Sequence, residues 1–155
     1  MTEENGYLRV ARRWLQRSGS GDLVVYIAAF LPSMEKQRLL KKFPPIHPVV
    51  HADHMTVWYF EEGGEAPAMP FGKMFPLKVV GTVEDDKAQV AILKVPTIIR
   101  PYGLRTPHIT ISTVPGVQPV YSNQLIDHRP NNVAQAGLPT LKGRLGWWDG
   151  QKQRF

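Results

Sequence analysis

His51-Ala-Asp-His-Met-Thr-Val-Trp-Tyr-Phe60 is the stretch on which the fold turns. Its content of Thr, Val, Trp, Tyr and Phe is that of a β-strand. Strand side chains alternate between faces, so His54 and Thr56 project to one side and Met55 and Val57 to the other. The same order (His, apolar, Thr, apolar) returns at His108-Ile109-Thr110-Ile111, 54 residues further on, in a second short strand over 108–112. Each copy offers one imidazole and one hydroxyl on a common face. A lone His-x-Thr carries little information. With five histidines and eight threonines in 155 residues, two copies with matching apolar partners should arise by chance in roughly one such chain in several hundred. The duplication predicts two similar lobes meeting at a shared cleft.

Outward from the first copy, residues 22–31 are β-branched and continuously apolar, the pattern of a buried central strand. Ser33 then reads as an N-cap, with Glu35 in the first turn of a helix, Lys41 and Lys42 in the last, and Pro44-Pro45 as the stop. Residues 61–76 are rich in Gly and Pro and predict a long loop. Two strand-like runs, 77–83 and 88–95, flank Glu84-Asp85-Asp86-Lys87 as a hairpin. Residues 96–107 form an irregular connector to the second copy. Beyond it, Ser122 caps a brief helix (SNQLID), 131–139 is a loop, and 140–148 closes the sheet as a final strand. Upstream, 7–17 shows helical spacing and ends at Ser18-Gly19-Ser20-Gly21. One domain over 1–155 is expected.

Composition narrows the functions. The chain has no cysteine, which excludes disulfides, thiolate metal sites and cysteine nucleophiles. Its first residues lack the apolar core of a secretory signal, and the longest apolar run, 23–32, is about half of a membrane span. A cytoplasmic protein with no membrane association is expected. The net charge of +6 and pI near 9.7 favour polyanionic partners.

Paired imidazoles and hydroxyls suit phosphodiester cleavage. An attacking oxygen must lose a proton and a departing oxygen must gain one, on opposite sides of phosphorus. Two histidines can perform both transfers, and two Thr hydroxyls can donate to the non-bridging oxygens. No metal or other cofactor is required. The motifs, together with the stretch PHITISTVPGVQPVYSN from Pro107, resemble the 2H phosphoesterase superfamily, which includes LigT-like proteins and the cyclic phosphodiesterase domains of tRNA ligases. The likeness runs from the strand at Asp22 to the last strand near Trp148. It implies a bilobal α+β fold, with two antiparallel-rich sheets flanking a central groove and helices outside. It also implies hydrolysis of RNA 2′,3′-cyclic phosphates or related phosphodiesters, with His54 and His108 as acid and base and Thr56 and Thr110 on the phosphate. The connector 96–107 is short for the second-lobe helix of LigT-like members.

Further candidates lie near the motifs. Arg100, Tyr102 and Arg105 precede the second copy and Tyr121 follows it, where loops at strand ends supply substrate contacts. Trp147-Trp148 offers one ring to the core and one as a stacking platform. Lys36, Arg38, Lys41 and Lys42 make a basic helix face. His47, His51 and His54 with Asp53 do not have helical ligand spacing, because Pro48-Val49-Val50 argues against a helix, and no metal site is expected. His128 reads as a solvated loop residue. The expected partner is an RNA or nucleotide with a phosphodiester or cyclic phosphate. The rivals are hydrolysis of cyclic di- or oligonucleotides, cleavage of linear oligonucleotides, and a non-catalytic RNA-binding module on the same fold.

Overall fold

Ten strands and two helices form among the residues that the computed structural model describes, 16–17, 23–62, 65–118, 120–128 and 137–155. In chain order the strands are β1 (Gln16–Arg17), β2 (Leu23–Val24), β3 (Tyr26–Phe30), β4 (Val49–Val50), β5 (His54–Tyr59), β6 (Met74–Glu84), β7 (Ala88–Lys94), β8 (His108–Thr113), β9 (Thr140–Trp148) and β10 (Gln153–Arg154). Helix α1 (Ser33–Lys42) follows β3, and α2 (Tyr121–His128) follows β8. β1 and β2 pair with each other. The other eight strands form one sheet in the order β4-β8-β7-β6-β9-β3-β5, with β10 on β9, and these pairings are antiparallel. The α+β class holds.

One continuous sheet stands where two are expected, because β9 inserts between β6 and β3. It joins the hairpin to the strand beside the first motif. The final strand therefore sits inside the sheet rather than closing it.

The strand expected over 51–60 is broken. Its first residues continue β4 along β8: Val49 and Val50, just before them, pair with Thr113 and Ser112, and the amides of His51 and Ala52 donate to the carbonyls of Ile111 and Thr110 at 2.8 Å. Its downstream part, β5, pairs with β3, starting at Phe30 and His54. The change of partner falls at Ala52, a buried residue at φ +55°. A left-handed non-glycine residue costs roughly 1–2 kcal/mol. Here it bends the segment so that one piece of chain bonds to both ends of the strand order. The hydrogen-bonded circuit thereby closes, and β5 comes to lie against β8.

Each face of the sheet carries its own core. Ile27, Met55, Val57, Ile109 and Leu145 pack with Leu39 of α1 on one side. On the other, Val83, Ala88 and Val90 pack with Leu125 and Ile126 of α2. The hairpin turn links these layers. The Asp85 carboxylate accepts the amides of Lys87 and Ala88 at 2.8 and 2.9 Å and a bond from the Tyr121 hydroxyl, while its carbonyl accepts His47 Nε2 at 3.0 Å.

Several local expectations shift. Pro32, in extended backbone, is the N-cap of α1 and accepts the Lys36 amide, so Ser33 is already helical and makes no capping bond. Ser122 lies within α2 rather than capping it, since the helix begins at Tyr121, and His128 ends that helix instead of lying in a loop. Gln16 and Arg17, expected to end a helix, pair with Val24 and Leu23, whose extended backbone offers them partners. The helix expected over 7–15 lies outside the described residues, as does most of the loop over 131–139. Among the described residues no helix is long and apolar enough to cross a membrane.

β10 was not legible in the sequence. It lies over Gly146, where a Cβ would sit 2.2 Å from the Arg154 carbonyl oxygen and 2.7 Å from the Phe155 ring. Gly146→Ala is expected to force residues 153–155 off β9, at a cost of roughly 1–3 kcal/mol for overpacking. Urea unfolding would show it. Unchanged stability would mean that the strand does not hold this position.

Candidate active site

The two motifs acquire the same local form. In β5 and in β8 the His and Thr are partly exposed, while the residue after each is buried. Met55, Val57, Ile109 and Ile111 all enter the larger core, so four apolar anchors fix the direction of the four polar side chains. Closure of the circuit at Ala52 then brings the two strands together. His54 and His108 lie close enough that the charge of a protonated His108 opposes protonation of His54.

The surroundings of the two histidines differ. His54 stands in a row of rings on β3 and β9. Its centroid is 5.0 Å from Tyr26, stacked at 27°, and 5.6 Å from Phe30. Tyr26 stacks in turn on Trp148 at 6.3 Å, and Phe155 meets Phe30 edge-on at 5.8 Å. Among the described residues, nothing hydrogen-bonds to the His54 ring or to the Thr56 hydroxyl. Desolvation in this row lowers the His54 pKa from 6.5 to about 4, against the pull of the neighbouring Asp53 carboxylate and with help from His108 and His51. His54 is therefore neutral near pH 7.

His108 is tethered. Its Nδ1 lies 2.9 Å from the Thr106 carbonyl oxygen, which can only accept, so Nδ1 carries the hydrogen and Nε2 is left to exchange a proton. Burial lowers its pKa, the bond to Thr106 opposes that shift, and the Arg105 charge adds to it. Thr110 is tethered as well, with Oγ1 at 2.7 Å from Ser122 Oγ.

The other candidates divide. Arg105 is exposed and acts electrostatically on His108. Tyr102, 42% exposed, opens a short 3-10 turn (Tyr102–Leu104) that packs near β5. Arg100 stands exposed at the end of the preceding turn. Tyr121 is engaged elsewhere: its hydroxyl donates to Asp85 and Lys87 Nζ lies over its ring at 5.5 Å. Trp147 enters the core against Phe71, while Trp148 joins the ring row. On α1, Lys36 holds Asp53 at 2.8 Å and Arg38 pairs with Glu35. His51 Nε2 meets Thr113 Oγ1 at 3.0 Å. No group of three His, Cys, Asp or Glu among the described residues is placed to hold a metal ion.

Sequence reasoning missed Tyr26, Phe30 and Ser122. The first two sit in a strand covered on both faces, where a continuous apolar run hides which residues share the His54 side. Ser122 was legible only as a helix residue, since its partner Thr110 comes from the strand β8. Models of known protein families and curated protein sequences yield no match to this chain.

Proposed function

We propose that this protein is a metal-independent phosphodiesterase that hydrolyses 2′,3′-cyclic phosphates of RNA ends or nucleotides, a two-histidine enzyme of the 2H phosphoesterase type with its groove between β5 and β8. The observation that carries this reading is that β5 lies against β8 with His108 near enough to act on His54, while in each strand a Thr follows two residues on from the His, on the same side. The net charge of +6 supports a polyanionic substrate. His54, held neutral by its desolvated ring row, takes the proton of the attacking water. His108 delivers a proton from Nε2 to the departing ribose oxygen, and its imidazolium is steadied by the Nδ1–H bond to Thr106. Water's oxygen forms the new bond to phosphorus, one ring P–O bond breaks, and the product is a phosphomonoester beside a free hydroxyl. Thr56 and Thr110 donate to the non-bridging oxygens as charge builds there.

The test is turnover on a panel of cyclic mononucleotides, RNAs with cyclic ends, cyclic dinucleotides and linear oligonucleotides. Cyclic-end hydrolysis that survives EDTA is the expected result. Preference for either of the last two classes replaces the substrate assignment, and binding of RNA without turnover of any class overturns the enzymatic reading. The pH dependence is also set. Since one histidine must be neutral and the other protonated, kcat/KM follows a bell, and both lowered pKa values put its optimum on the acid side of 6.5. A bound phosphate anion stabilises the imidazolium, so the alkaline limb of kcat should lie higher than that of kcat/KM. A rate that climbs without a second limb into strongly alkaline solution contradicts the mechanism.

A further inference from the structure

On the reading above, in which Thr110 donates to a phosphate oxygen, we infer that Ser122 is the positioning residue of the second motif, holding the Thr110 hydroxyl with its proton turned toward substrate. Ser122 is 1% exposed, and a buried hydroxyl needs a partner. Its oxygen lies 2.7 Å from Thr110 Oγ1, across from helix to strand. Thr110 has a single hydroxyl hydrogen. When that hydrogen points at phosphate, the Thr110 oxygen is left to accept, and Ser122 is the donor that satisfies it. The resulting chain, Ser122 O–H to Thr110 O–H to phosphate, polarises the second bond in a site of low dielectric.

The support for Ser122 is rigid. Its neighbour Tyr121 is bonded to Asp85 in the hairpin turn, and one helical turn further Leu125 and Ile126 are embedded in the second core. α2 thus ties the motif to the β6–β7 hairpin. Among the described residues the first motif has no counterpart. Opposite Thr56 on the neighbouring strand is Ala28, which has no polar side-chain group, and the Thr56 hydroxyl is left for substrate to orient. The two halves of the site are therefore unequal: the phosphate oxygen on the Thr110 side meets a preset donor, and the one on the Thr56 side does not.

A double-mutant cycle tests this. Ser122→Ala should lower kcat on the best substrate by about 5- to 20-fold, the worth of one hydrogen bond to a developing charge. In a Thr110→Ala background the same change should cost almost nothing, whereas in a Thr56→Ala background it should cost its full amount. Affinity for a nucleoside 2′-monophosphate, measured by calorimetry, should repeat the pattern without needing turnover. Equal losses in both backgrounds, or no loss in the parent, overturn the role of Ser122. Coupling in monophosphate binding without turnover of any panel member would keep that role and sink the hydrolase reading. If the parent binds no monophosphate and turns nothing over, both fall. Urea unfolding of each variant separates loss of fold from loss of function, and Ser122→Cys, which keeps the shape but weakens the donor, gives an intermediate loss if Ser122→Ala does not fold.

Discussion

His54→Ala or His108→Ala is expected to lower turnover of the best cyclic-phosphate substrate by roughly 10²–10⁴-fold, the range for loss of one general acid or base. Each variant deletes one of the two proton transfers and leaves the hydroxyl donors in place. The double variant should lose little more than the worse single one, because groups acting as a unit do not add. Thr110→Ala and Thr56→Ala should cost less, about 10–10³-fold, since each removes a donor to a charged oxygen. Thr110, already aligned by Ser122, should cost the more of the two. His47, His51 and His128 act as controls. His47 bonds the Asp85 carbonyl, His51 meets Thr113, and His128 is exposed at the end of α2. Alanine at any of them should stay within about a few-fold of the parent, roughly 1 kcal/mol on the barrier. Retention of turnover by both motif variants would leave the His/Thr face as a binding surface only.

The second large effect is on stability. In the unfolded chain His54 titrates near 6.5, and in the folded protein burial holds it at about 4. Between those values the unfolded state binds the extra proton, so stability is complete above the unfolded pKa and declines as pH falls toward the folded one. The loss from this residue amounts to about 3 kcal/mol across the window. His108 and His51 are also lowered, mainly by burial, and push in the same direction. Urea unfolding at about pH 7.5, 6.5, 5.5 and 4.5 would record the decline, and His54→Gln, which carries no titrating proton, should flatten much of it. Parallel curves for parent and variant would mean that His54 is solvated in the folded state. The same burial that destabilises the protein in acid keeps His54 neutral near pH 7, as a general base requires.

What the sequence determined by itself was local. Alternation in His54–Tyr59 and His108–Thr113, the turn residues between β6 and β7, the pattern of β9 and the charges at the ends of α1 are properties of a few neighbouring side chains. Each could be read without knowing what lay beside it. Even there, a one-residue question such as whether Pro32 or Ser33 caps α1 depended on backbone angles that residue type does not impose. The tertiary structure alone decided the assembly. Nothing near Thr140 says that its strand runs between β6 and β3, because strand neighbours are chosen by packing across the whole sheet. Nothing in His51-Ala52-Asp53 announces a left-handed alanine, since that strain is held in place by bonds to β8 on one side and β3 on the other. The identity of the two motifs was legible, but their inequality was not. His54 is set in rings from β3 and β9, His108 is bonded to Thr106, and Thr110 is met by Ser122 from α2. Proton affinity and hydroxyl orientation depend on desolvation and on partners brought from distant parts of the chain, so two copies of one motif leave the folded protein as two different chemical groups.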